Sequence, residues 1–165
     1  MNKRVRQYIG LISAILVYYV IHEGAHFIYA LSLGVFKSIN FIGLGIQIDV
    51  YREKMTEVQL GIFCIVGSIA TLIIGYVFAA LTDKIGRVSF NVFKACMYYI
   101  TIALLFIDPL YLSLFYNFFG GGDMNGISLL VPQIPIRIIY GGVFVINIII
   151  FFKAVLPKYK AAFEK

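Results

Sequence analysis

Four long apolar runs separated by short charged segments dominate the pattern of hydrophobic and polar positions. They cover residues 8–35, 58–81, 95–119 and about 138–156. Runs of about twenty residues, rising about 1.5 Å per residue in a helix, can cross a hydrocarbon core of roughly 30 Å. The pattern predicts an all-α integral membrane protein with about four transmembrane helices, folded as a single polytopic domain over residues 1–165.

Two segments between these runs follow other patterns. From Ile42 to Tyr51, apolar residues alternate with polar or small ones, which is typical of a strand with one apolar face. We expect a short strand or hairpin at the outer membrane boundary. Before the last run, Gly120, Gly121 and Gly122 are unfavourable in a helix, and broken backbone at membrane depth persists only where protein or water satisfies its polar groups. This glycine-broken segment is therefore expected to lie next to a site.

The charge distribution predicts an orientation. Apolar residues make up 61% of the chain and charged residues 13%, which excludes an ordinary soluble enzyme. The net charge is +6, and in a membrane protein such an excess belongs to cytoplasmic loops rather than to a nucleic-acid site. Basic residues cluster at 3–6, 84–94 and 158–160. Both termini are thus predicted to be cytoplasmic in a multi-pass protein of the cell membrane, as an even number of spans requires.

The first apolar run contains the motif that carries chemistry. His22 and His26 are four residues apart, so a helix places both imidazoles on one face, within reach of one Zn²⁺. Glu23 lies beside them and can take a proton from an attacking water, the general-base role in metalloproteases. Ionisable groups inside a span cost about 2.5–3.5 kcal/mol each, so a cluster of three indicates a function. The motif predicts zinc-dependent hydrolysis.

A catalytic zinc needs a third protein ligand, and no third histidine exists. The other acids at apparent membrane depth are Asp108 and Asp123. We favour Asp123, because the glycine break before it lets the backbone turn its carboxylate toward the first span. Asp108 precedes Pro109, which frees a carbonyl and kinks a helix, and lies at nearly the same depth as His22. It stays an alternative ligand, or a group that orients an imidazole.

Small residues form a stripe in the second span. Gly67, Thr71 and Gly75 recur every four residues. Such a stripe lets another helix approach closely, so we interpret it as a packing surface.

The order of these motifs resembles the site-two protease family of intramembrane zinc metalloproteases, especially its short bacterial members. The resemblance rests on His22-Glu23-x-x-His26 in a span, Ala30 and Gly34 after it, a strand-like segment, a glycine-rich second span and Gly-Gly-Asp123-Met-Asn-Gly126 before the last span. It implies that His22, His26 and Asp123 bind zinc and that Glu23 is the base. It also implies an unwound membrane-spanning substrate, which the segment from Phe41 to Val50 could pair with. The chain departs from better-known members, which carry Asn and Pro ahead of an Asp-Gly pair: Asn117 lies closer to the Asp and no Pro intervenes.

The sequence therefore predicts an intramembrane zinc metalloprotease whose partners are a membrane-spanning protein or peptide substrate and the lipid bilayer. Two other functions use the same residues. In a metal-ion or proton transporter, the His and Asp side chains would line a pathway across the bilayer. A non-proteolytic membrane scaffold would bind membrane partners without hydrolysis, but its metal site would have no need of Glu23 as a base.

Overall fold

The computed structural model describes residues 2–42, 45–119 and 122–164. Within these residues, four helices are long and apolar enough to cross a membrane. They are Lys3–Ser32, Glu57–Ala80, Asn91–Phe118 and Gln133–Glu164. The predicted number of long apolar helices is confirmed, and their ends differ from those of the apolar runs. Side-chain caps set the start of the first two helices, at Asn2 and Thr56.

Helix α1 (Lys3–Ser32) shows how caps shift the boundaries. It starts within the basic segment, because the Asn2 side chain accepts a hydrogen bond from the Arg4 amide at 3.1 Å. It ends before Gly34, whose φ of 65° lies in the left-handed region that favours glycine. The run predicted to reach residue 35 is therefore three residues too long, and the chain turns at Gly34 into the sheet.

The alternating segment forms a hairpin. Strands β1 (Phe36–Ile42) and β2 (Gly45–Val50) are antiparallel, with Ile39 opposite Ile48. Ile48 and Val50 are buried while Gln47 is exposed, so the predicted alternation is confirmed in β2. Gly43 and Leu44 lie outside the described residues.

An ion pair joins the two strands. Lys37 Nζ lies 3.0 Å from Asp49 Oδ2. The hydrogen bond from Lys37 holds the pKa of Asp49 below its ordinary value. The pair links the two strands at the exposed face of the hairpin, where the strand register shifts between Phe36 and Ser38.

A 3₁₀ turn (Arg52–Lys54) follows the hairpin. The elements after it are α2 (Glu57–Ala80), α3 (Thr82–Gly86), α4 (Asn91–Leu110), a π-helical turn (Tyr111–Phe115), α5 (Tyr116–Phe119), α6 (Gly122–Ile127), α7 (Gln133–Ile150), a second π-helical turn (Phe151–Val155) and α8 (Leu156–Glu164). Gly120 and Gly121 of the predicted glycine break lie outside the described residues, whereas Gly122 opens α6.

Pro109 interrupts the backbone hydrogen bonding of α4, as expected. A proline has no amide proton, so the carbonyl of Leu105, four residues earlier, has no partner within its helix. Asn147 of α7 is fully buried and donates its side-chain Nδ2 to this carbonyl at 2.5 Å. Arg137, also on α7, donates from Nε to the Ser113 carbonyl at 2.9 Å. Polar side chains of α7 thus donate hydrogen bonds to backbone carbonyls in the part of the third long helix where regular α-helical hydrogen bonding is interrupted.

The basic segments meet at one end of the bundle. The Arg6 guanidinium lies 4.9 Å from the centre of the Phe163 ring, and Lys94 Nζ donates to the Ala162 carbonyl at 2.6 Å. The start of α1, the start of α4 and the end of α8 are therefore neighbours. The hairpin follows the opposite end of α1, where the basic residues Lys37, Arg52 and Lys54 are offset by Asp49, Glu53 and Glu57.

Candidate metal centre

His22 and His26 lie on the inner face of α1, one helical turn apart. The two residues are 7% and 3% exposed, and their Nε2 atoms are 3.1 Å from each other. The i, i+4 spacing positions both rings from within one rigid helix, as the sequence predicts.

Helix α6 adds a carboxylate to this pair. Asp123 Oδ2 lies 3.1 Å from His22 Nε2, and its Oδ1 lies 3.7 Å from His26 Nε2. A tetrahedral zinc with ligand bonds of about 2.0–2.1 Å separates its ligand atoms by roughly 3.3 Å. The spacing of these three side chains fits such an ion, and the cluster of His22, His26 and Asp123 could hold a metal ion.

The partners of the two Nδ1 atoms determine which nitrogen of each imidazole is left to bind a metal. His26 Nδ1 lies 2.7 Å from the Phe63 carbonyl, which can only accept, so Nδ1 carries the proton. His22 Nδ1 lies 3.3 Å from the Asp108 carboxylate, which is likewise an acceptor. In the neutral rings both Nε2 atoms are then lone-pair donors that face each other and Asp123. A cation between them satisfies all three groups.

Gly67 of α2 leaves the space that this arrangement requires. A Cβ atom at this position would lie 2.5 Å from His26 Nε2 and 2.8 Å from His22 Nε2. Any larger residue would push a side chain into the cluster. The stripe interpreted as packing therefore has a second role here: Gly75 packs against Leu104 of α4, whereas Gly67 borders the imidazoles.

Glu23 contacts the hairpin and borders the same centre. Its Oε2 accepts a hydrogen bond from the Ile48 amide of β2 at 3.1 Å. Glu23, His26 and Asp123 line one cavity of about 40 Å³, with Gln47 and Asp49 among its polar wall residues. A cavity of this size has room for water. The carboxylate, the imidazole and a water can therefore meet at one place.

Asp108 reaches the other edge of His22. It is 2% exposed and accepts hydrogen bonds from the Tyr18 hydroxyl at 2.6 Å and the Thr71 hydroxyl at 2.5 Å. Of the two acids that the sequence left open, Asp123 faces the Nε2 atoms and Asp108 faces Nδ1. Tyr18 was not among the residues predicted for the site, although its position four residues before His22 places it on the same helix face. The polar role of Thr71 was not predicted either.

Asn117, which differs in position from the Asn of the resembled family, is exposed.

Comparisons with protein-family models, with curated proteins and with solved structures gave no match to this chain.

Proposed function

We propose that this chain is an intramembrane zinc metalloprotease that hydrolyses peptide bonds of membrane-embedded substrates, as its resemblance to the site-two protease family implies. One observation carries the proposal. Two imidazole Nε2 atoms and the Asp123 carboxylate converge at ligand spacing, and Glu23 lines the same water-sized cavity. This is the combination of groups that metal-assisted peptide hydrolysis requires.

Placement in a bilayer is supported by the outer surfaces of the long helices. Leu16, Val20 and Ile28 on α1, and Ile134 and Ile138 on α7, are all more than half exposed. Such surfaces suit contact with lipid tails rather than water. The common end of the basic segments then faces the cytoplasm by the positive-inside rule.

His22, His26 and Asp123 would hold the metal. Two imidazoles and one carboxylate are a donor set of catalytic zinc sites, which keep a fourth position open. When bound, zinc lowers the pKa of a coordinated water and polarises a substrate carbonyl.

Glu23 would move the proton. Its Oε2 is held by the Ile48 amide, which leaves Oε1 to accept a proton from the attacking water. The same atom can return that proton to the departing amine, so that the peptide bond breaks without charge separation. The hydrogen bond from β2 orients the carboxylate for both steps.

The hairpin would hold the substrate. In an antiparallel pair, alternate residues direct their amides away from the partner strand. The Ile48 amide points to Glu23 on α1, so this edge of β2 faces the centre. The Ile48 amide is already engaged by Glu23 and the Val50 amide by Asp49 Oδ1, so an unwound substrate segment would pair with the remaining polar backbone groups of the hairpin, next to Glu23.

Metal content tests the first part of the proposal. The detergent-purified wild type should contain about one zinc per chain. His22→Ala and Asp123→Asn should lose it, whereas the matched variant Asp83→Asn, at an exposed ion pair with Lys158, should keep it. A wild type without zinc after reconstitution with the metal would remove the protease proposal.

Cleavage tests the second part. Glu23→Gln should retain zinc. It should cleave single-span peptides in proteoliposomes at least about 100-fold more slowly than the wild type, because it lacks the base. Cleavage at the wild-type rate would refute the role of Glu23. Zinc or proton flux into the vesicles without any peptide product would favour the transporter instead.

A further inference from the structure

The buried carboxylate of Asp108 is held from three directions. Tyr18 of α1 and Thr71 of α2 donate hydroxyl hydrogen bonds to it, at 2.6 Å and 2.5 Å. His22 Nδ1 lies 3.3 Å from its Oδ1 and 3.4 Å from its Oδ2. The donors come from two helices and the carboxylate from a third, α4, so the group joins all three helices around the centre.

This carboxylate lies on the wrong side of His22 to be a metal ligand. It faces Nδ1, whereas His26 and Asp123 face Nε2 on the other edge of the ring. A single imidazole can bind metal through Nε2 while Nδ1 donates to a carboxylate. Asp108 lies where such a carboxylate would accept a hydrogen bond from His22 Nδ1.

The two histidines are therefore supported differently. His26 donates to a neutral backbone carbonyl of Phe63, and His22 donates to a carboxylate. A carboxylate partner fixes the ring tautomer and makes Nε2 a stronger donor to a metal than a carbonyl does. The His22 side of the centre should consequently contribute more to metal affinity.

We propose that Asp108, held by Tyr18 and Thr71, is a positioning residue that fixes the ring and tautomer of His22 for metal binding. This inference rests on the proposed metal site. An ionisable side chain buried among apolar helices is costly, and a role at the centre accounts for its presence between Tyr18, Thr71 and His22. The two hydroxyls restrict the carboxylate to the orientation in which it meets Nδ1.

The test measures the binding of Zn²⁺ and Co²⁺ to the full chain in detergent. Asp108→Asn keeps the size of the side chain and removes its charge. It should bind zinc about 10–100-fold more weakly in competition with a chelator, still at about one ion per chain. Its cobalt-loaded form should show a changed visible spectrum, because the geometry of the His22 ligand changes. A purely structural role of Asp108 would leave that spectrum unaltered.

Tyr18→Phe and Thr71→Val provide a second route if Asp108→Asn does not fold. Each removes one hydroxyl that holds the carboxylate and leaves the charge in place, so each should weaken zinc binding by a smaller factor. Thr101→Val is the matched control, because Thr101 is buried on α4 but donates to the Met97 carbonyl of its own helix. It should bind zinc like the wild type.

The outcomes separate the two proposals. If the wild type binds no metal, both are overturned. If the wild type binds zinc and Asp108→Asn folds with unchanged affinity and cobalt spectrum, only the role of Asp108 is overturned. If Asp108→Asn does not fold, unchanged affinity and spectrum in both hydroxyl variants overturn it as well.

Discussion

At the scale of single residues, Gly67 decides whether the centre can form. An alanine Cβ at this position would lie 2.5 Å from His26 Nε2, within the volume that a ligand atom and its metal need. Gly67→Ala is expected to lose most of the bound zinc while the helices stay folded. Metal content and circular dichroism of the purified variant measure the two effects.

Gly24→Ala is the control for this substitution. Gly24 lies inside the motif, between Glu23 and His26, but a Cβ there would meet nothing within 4 Å. This variant should keep zinc, and alanine should favour the helix slightly. Zinc retained in Gly67→Ala at the wild-type affinity would show that α2 can move away from the imidazoles.

Local spacing determined which residues of the centre could be predicted. His22, Glu23 and His26 belong to one helical turn, so their proximity follows from the helix alone. The depth of Asp108 could be estimated along its helix, but the direction of its side chain depends on how α4 rotates against α1. In the same way, the rotation of α2 about its axis decides that Thr71 faces Asp108. The spacing of small residues along α2 does not reveal that rotation.

At the scale of elements, α7 compensates for the proline in α4. Asn147 donates to the Leu105 carbonyl that Pro109 leaves free, and it accepts a hydrogen bond from the Tyr76 hydroxyl. Asn147→Leu would leave the Leu105 carbonyl and the Tyr76 hydroxyl without these partners. The expected loss is about 1–3 kcal/mol in the free energy of unfolding, measured by denaturant titration in detergent.

A double-mutant cycle tests this explanation. Pro109→Ala restores an amide proton that can bond to the Leu105 carbonyl within α4. In that background, Asn147→Leu should cost less than in the wild type, because the carbonyl then has a partner. Equal costs in both backgrounds would mean that Asn147 stabilises the bundle through Tyr76 alone.

The hairpin shows what an alternating pattern can and cannot predict. The period of two correctly indicated extended backbone over Gly45–Val50, where Ile48 and Val50 are buried. It did not indicate that β1 begins at Phe36, because the residues before Ile42 do not alternate regularly. Pairing with β2, rather than amphipathicity, holds that first strand in place.

At the scale of the whole molecule, charge and span number were enough to predict which segments share an end. The basic segments lie far apart in the sequence, yet Arg6 contacts Phe163 and Lys94 contacts Ala162. Four long helices that alternate in direction bring them together, because an even number of such helices returns the chain to the end of the bundle where it started. The position of α6 against α2 had no comparable signal, since it depends on packing such as Gly126 against Cys64.

This arrangement predicts the membrane orientation of two sites that can be labelled. Val88 is exposed between α3 and α4 at the basic end, and Asn40 is exposed on β1 at the hairpin. A membrane-impermeant maleimide should react with Asn40→Cys in intact cells and with Val88→Cys only after lysis, because basic segments stay cytoplasmic. The wild type should remain unlabelled, since Cys64 is buried and Cys96 is partly buried. Labelling of Val88→Cys in intact cells would reverse the orientation, and labelling of both from one side would contradict a bilayer crossed between the hairpin and the basic end.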